Sequence, residues 1–280
     1  MRFLRRAGGL HPASIAALLL GLAVGTPLSA QRYLLANGSA LDAADVTLKG
    51  DALVQTRKLA GGGSMEQRFP LATITRLDWP EPTELAETAA LITAGHGQAA
   101  LAKITPLYRQ FDPFPKTPGS WWTEAAMLRL RALLAAGSPP VEITAAARDI
   151  MGRATDPEAV GNAKLALAEV DLRGGKDSIA DALIDQIVTD APAAVRARAW
   201  LLRGDLALKR KAYEQALEAY LRVPALFGTL DELMPAALLG SARAYKGYGD
   251  KGRAERAYLS VMDEYPNSAE AAVAKAEAGL

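Results

Sequence analysis

The sequence predicts a mainly α fold: an α-solenoid of antiparallel helix pairs, preceded by a small β-barrel-like module. Three observations carry this. Small residues recur at Ala180, Ala216 and Ala254, at intervals of 36 and 38 residues, each inside a stretch with helical periodicity. The hydrophobic period changes from two to 3.6 across Pro80-Glu81-Pro82-Thr83. Ahead of that point, Asn37-Gly38, Lys49-Gly50-Asp51 and Gly61-Gly62-Gly63 punctuate short apolar runs, as turns between strands do.

Residues 1–30 read as a signal peptide. Arg2, Arg5 and Arg6 form a basic n-region, and Ile15 to Val24 is an apolar run of ten, the length of a signal core and too short to span a bilayer. Leu28-Ser29-Ala30 offers a cleavage site, so the mature chain is expected to begin at Gln31, extracytoplasmic and either periplasmic or secreted, with no stable membrane insertion. Removing this segment leaves 29 basic and 31 acidic residues, a net of −2, which gives no footing for nucleic acid or an anionic membrane. With no cysteine in the chain, disulfides, thiol nucleophiles and a lipid anchor on an N-terminal cysteine are excluded.

Residues 31–79 are assigned to the β module, with four or five short strands between glycine turns. Gly61-Gly62-Gly63 is a flexible turn and no phosphate loop, since neither Lys-Ser/Thr nor a helix follows it. Residues 80–83 form a linker, with Thr83 expected as the first helix cap, and the prolines predict a module separable from the helical domain 84–280. Helix pairs are then expected at 84–94 with 98–110, 121–136 with 141–152, and 158–173 with 178–189. Between the first two pairs, FDPFPKTPGS (111–120) cannot be helical. Two clearer units follow, AWLLRGDLALKRKAYEQALEAYLRVP (199–224) and ALLGSARAYKGYGDKGRAERAYLSVMDEYP (237–266).

In these units Trp200, Gly204, Ala216 and Tyr220 occupy positions 4, 8, 20 and 24, as do Leu238, Ala242, Ala254 and Tyr258; Tyr245 and Pro266 add positions 11 and 32. Ala168, Ala180 and Pro192 give positions 8, 20 and 32 of an earlier unit opening at Gly161. Small residues at 8 and 20 let the paired helices approach, and large ones at 4, 11 and 24 are expected to fill the space around them. This order resembles the tetratricopeptide repeat (TPR) family, whose repeat is about 34 residues; the Phe227–Asp231 stretch is expected to absorb part of the excess length here. The layout NGS…KGD…GGG…FPLATITRLDW is similar to small SH3-like or Sm-like barrels placed ahead of repeat arrays. ARAYKGYGDKGRAERAYLSVMDEYPNSAEA also resembles the C-terminal repeats of bacterial envelope proteins that coordinate cell-wall synthesis with outer-membrane constriction. It departs from them in carrying strands where they carry a coiled coil.

Chemistry has little to work with. His96, the single histidine after residue 30, sits between two glycines in an expected interhelical turn, so no triad or multi-histidine metal centre is implied, and no cofactor. Trp121-Trp122 is read as one Trp packed inward while the other faces outward or covers the proline loop. The TPR resemblance places the binding groove on the first helix of each unit, at positions 2, 5, 9, 12 and 13. It thereby assigns Arg173, Arg198, Asp205, Lys209, Arg243 and Lys246 as partner-binding residues beside a leucine seam. The expected function is a non-enzymatic exported adaptor or scaffold that binds a protein or peptide partner, in the bacterial cell envelope. Two other readings stand beside it. One is an accessory or degenerate form of a peptidoglycan-acting enzyme. The other is a self-assembling structural protein, a homo-oligomer joined through the β module or the terminal helix.

Overall fold

The computed structural model describes residues 31–59 and 61–279; the export segment assigned to residues 1–30 lies outside them. Six strands come first: β1 (Arg32–Leu35), β2 (Ala40–Asp42), β3 (Val46–Lys49), β4 (Ala52–Lys58), β5 (Ser64–Pro70) and β6 (Ile74–Asp78). They form two antiparallel three-stranded sheets, β2-β1-β6 and β3-β4-β5. The asparagine-glycine turn closes β1 onto β2 as the sequence predicts, with Gly38 at φ 81°, a conformation glycine adopts without steric cost.

Eleven helices follow among the described residues: α1 (Thr83–Thr93), α2 (Gly97–Phe111), α3 (Trp122–Ala135), α4 (Pro140–Arg153), α5 (Pro157–Arg173), α6 (Asp177–Asp190), α7 (Ala193–Lys209), α8 (Tyr213–Phe227), α9 (Met234–Tyr248), α10 (Lys251–Glu264) and α11 (Ala269–Ala278). Thr83 is the first helical residue rather than the cap. Pro82 takes the cap position in extended conformation at φ −66° and ψ 130°, and its carbonyl accepts from Leu85 N–H. Side-chain caps stand where Asp156, Asp250 and Ser268 precede α5, α10 and α11. Helix α8 continues past Pro224 to bury Phe227, and a 3-10 turn at Asp231–Leu233 then takes up the extra residues of this unit.

The two regions share a core. Tyr33, Leu41, Leu53 and Leu77 of the sheets pack in one cluster with Leu85, Ile104, Phe111 and Trp122 of the helices. Trp79 meets Tyr33 and Phe111 edge-on at 5.5 and 5.1 Å, and Tyr33 meets Phe114 at 5.6 Å. The 111–120 loop is strapped to the sheet where Leu77 N–H donates to the Pro118 carbonyl at 2.8 Å. A Cβ on Gly119 would strike the Leu77 carbonyl there. The expectation of a separately packed module is therefore corrected: the prolines turn the chain without dividing the core. Trp122 is fully buried, and half-buried Trp121 donates its ring N–H to the Trp79 carbonyl, so the pair supports packing.

Consecutive helices pack antiparallel, and odd-numbered helices also pack side by side, α1 on α3, α3 on α5, α5 on α7, α7 on α9 and α9 on α11. Even-numbered helices make their extensive contacts with these odd-numbered neighbours, so the odd helices form one continuous layer, the inner layer of a TPR-like array. The small positions behave as the spacing requires: Ala168, Ala180, Ala216, Ala242 and Ala254 are buried. Position 24 is buried too, at Tyr220 and Tyr258. Positions 4 and 11 are only half-buried at Trp200, Leu238 and Tyr245. Trp200 does not fill a closed core. It floors an outer recess of about 430 Å³ between α6, α7 and α8, with Arg222 and Arg203 at 4.5 and 4.9 Å from its ring.

Candidate functional site on the inner helix face

Helices α5, α7 and α9 repeat their inward-facing residues at 36 and 38 residue intervals, so side chains at one repeat position form rows across the layer. Position 9 gives Glu169, Asp205 and Arg243, and α11 continues the row with Glu277. Positions 12 and 13 bring Leu172, Leu208, Arg173, Lys209 and Lys246 to the same face, with half-buried leucines between exposed charges.

All six residues assigned from the sequence stand exposed on these inner helices, and each is engaged within the protein. Arg173 reaches Glu169 at 2.9 Å one turn back on its own helix. Arg198 donates from Nη1 to Asn162 Oδ1 at 2.7 Å, crossing from α7 to α5. Lys209 crosses the same junction to the Leu172 carbonyl at 3.0 Å and to Asp177 at 2.6 Å. Arg243 forks onto Glu277, with Nη2 at 2.7 Å and Nε at 3.1 Å, and Lys246 donates to the Glu277 carbonyl at 3.0 Å. Both lysines thus sit on the last carbonyls of a neighbouring inner helix, where the helix dipole is negative. Apart from Arg173, the cations that the spacing places in the groove are ties between successive units.

Asp205 differs. Its Oδ1 accepts the Tyr220 hydroxyl at 2.6 Å, and among the described residues no cation reaches it within ion-pair distance. Crowding in the inner layer pushes the Asp205 carboxyl above its ordinary value, although the residue is open at its edge; the Tyr220 bond and the charge of Arg243 oppose that shift. Burial likewise raises Glu169, against Arg173, and the nearby Asp205 charge adds to the rise. Burial and the Asp205 carboxylate push the Tyr220 hydroxyl well above its usual range. At the far end the Arg243 fork holds Glu277 below the usual carboxylate range, and burial together with the Glu277 bond pushes Tyr258 up to about 12.

Three charges on this face therefore lack an opposite charge as bonding partner among the described residues: Lys246 with a backbone carbonyl, Arg198 with a neutral amide and Asp205 with a hydroxyl, the last two on α7. Arg198 and Asp205 stand on one face of α7, seven residues apart, or about 10.5 Å along the helix axis. Glu277 is the residue that sequence reasoning missed. It follows Arg243 by 34 residues, one repeat length, and that interval is the signal that would have found it. His96 is exposed at the start of α2, and among the described residues no group of three or more His, Asp or Glu could hold a metal ion. No described helix is long and apolar enough to cross a membrane.

Fold and face together define the class: an array of antiparallel helix pairs whose first helices build an inner layer. No family model matches this chain, and no curated protein does. A thermophilic TPR protein of Thermus thermophilus superposes with a TM-score of 0.52 at 19% identity, over 70% of this chain and 97% of that one. The TPR-like repeats of a Podospora anserina kinesin light chain give 0.48 at 15% identity, over 66% of this chain and 96% of that one. The MamA protein gives 0.43 at 15% identity, over 71% of this chain and 94% of that one. The Thermus structure establishes the particular form of the fold, a TPR-like solenoid.

Proposed function

We propose that this chain is a non-enzymatic scaffold, exported to the bacterial cell envelope, that holds an extended segment of a protein partner against the inner face of α5, α7 and α9. The observation that carries this reading is the pair Arg198 and Asp205. Both are exposed on the middle inner helix with no opposite charge bonded to them among the described residues, beside half-buried leucines that offer apolar contact. A bound segment supplies the missing acid and base, and the complementary charges fix its register. The export half of the proposal is supported by the basic n-region and the apolar run of ten in residues 1–30.

Arg198→Gln with Asp205→Asn tests the pairing. Each replacement can keep its internal hydrogen bond, to Asn162 and Tyr220, while removing the charge. The expected result is a melting temperature within about 2 °C of the parent, as for surface changes of about 0.5 kcal/mol. Peptides selected on the parent from a random library should bind the double variant at least about tenfold more weakly and lose their salt dependence. Equal binding by both proteins would move the site off this face.

A further inference from the structure

Strand β5 is the longest sheet edge in the molecule that no other strand covers among the described residues. It pairs with β4 on one side only, and Ser64 through Arg68 are all exposed. The phase of its hydrogen bonds is fixed at both ends of the hairpin, where Leu59 N–H donates to the Gly63 carbonyl at 3.1 Å and Leu71 N–H to the Asp51 carbonyl at 2.9 Å. Alternation along an antiparallel ladder then turns the main-chain groups of Met65, Gln67 and Phe69 toward β4. Those of Ser64, Glu66 and Arg68 turn toward the open edge.

We propose that this edge pairs with β5 of a second copy of the chain, antiparallel and centred on Gln67, joining two three-stranded sheets into one. Around that centre Glu66 lies opposite Arg68 of the other copy, and Arg68 opposite Glu66. The opposed residues are the ones whose N–H and C=O groups face outward, so each pair exchanges both main-chain hydrogen bonds. On the other face, exposed Met65 meets half-buried Phe69 of the second copy.

Centring one residue earlier would oppose Glu66 to itself, and one residue later Arg68 to itself, so the charges select a single register. Charges on an edge strand ordinarily repel a second sheet, but Glu66-Gln67-Arg68 read backwards is its own complement. The existing contacts leave room for this. Glu66 bonds Lys49 through Oε1 at 2.7 Å, leaving its other oxygen, and Arg68 is 3.7 Å from the largely solvated Asp51. Pro70, which lacks an N–H, ends the run of paired residues. This surface is remote in sequence from the inner helix face, and the proposal does not depend on what that face binds.

Sedimentation equilibrium of the chain and its charge variants decides the matter. The parent should show a monomer–dimer equilibrium. Glu66→Arg alone and Arg68→Glu alone should each weaken self-association at least about tenfold, because like charges then oppose each other. Glu66→Arg with Arg68→Glu together should restore it, and an equimolar mixture of the two single variants should form a heterodimer. The absence of native cysteine allows a geometric check. Gln67→Cys should form an intermolecular disulfide under air, since the two Cα atoms of a central non-hydrogen-bonded pair lie about 4.5 Å apart. Met65→Cys, at roughly 14 Å from its symmetry mate by strand rise, should not. A parent that stays monomeric at every concentration, or a dimer that ignores the charge changes and leaves Gln67→Cys unlinked, would overturn the proposal.

Discussion

Tyr220 shows how one side chain sets its neighbours' identities. The buried ring lies between Gly204 of α7 and Gly240 of α9, and a Cβ on Gly204 would stand 2.5 Å from Tyr220 Cε1. Gly240 lies as close to the same ring edge, where a Cβ would stand 2.4 Å from Cε1. Gly204→Leu should therefore lower stability by at least about 1–3 kcal/mol in a chemical melt, although leucine is the better helix former by close to 1 kcal/mol. The same glycine changed to alanine should destabilise the parent yet stabilise a Tyr220→Leu background. A double-mutant cycle gives the coupling directly, and additive effects would break the argument. Trp200 calls for a smaller figure than a closed core would. Half-buried under two arginines, it should cost less than the roughly 3–5 kcal/mol typical of a buried Trp→Ala change, and a loss within that range would show a tighter site than this one.

At the scale of the element, α11 is held by little apolar surface: only Ala271 and Ala274 are buried. Its anchor is Glu277, which accepts from Arg243, from Tyr258 at 3.0 Å and, through its carbonyl, from Lys246. A carboxyl depressed in the folded state stabilises it above the unfolded value near about 4.3, and that contribution is lost as pH falls through the lower folded value. Glu169 and Asp205 run the other way. Their raised values mean that the folded state gains protons first, so acid relieves α5 and α7 while it frees α11. Between about pH 5 and about pH 3, amide exchange corrected for intrinsic rate should rise in residues 269–278 before it rises in α7. Glu277→Gln should leave α11 open across that range, and equal protection of α11 in parent and variant would show the fork to be incidental. The helices themselves were legible, because small residues at fixed spacing report close approach directly. Their bonding partners were not. Asn162 and Glu277 meet Arg198 and Arg243 only through the side-by-side packing of inner helices, and Asp177 meets Lys209 across the α6–α7 junction; the period within one helix does not encode that packing.

At the scale of the molecule, the sheets and helices were legible as two regions and illegible as one core. Pro80 and Pro82 report where the chain turns, whereas Tyr33, Trp79, Phe111 and Phe114 meet from positions up to 81 residues apart with no common spacing. A fragment of residues 83–280 would uncover Phe111 and Phe114, which Trp79 and Tyr33 cover in the full chain. It should melt at least about 10 °C lower than the chain from Gln31, with reduced cooperativity by circular dichroism; an unchanged melt would show that the sheets contribute nothing to the core. Further along, the shared ring of Tyr220 governs how the array comes apart. Repeat proteins lose structure from their ends, one nearest-neighbour junction at a time. Here the last pair can peel away at the α9–α10 junction while leaving the ring enclosed, but the next step cannot stop between units. Releasing α9 uncovers Tyr220 and with it the packing of α7 on α8, so α7, α8 and α9 open there as one block of three helices, whose C-terminal edge falls inside a repeat.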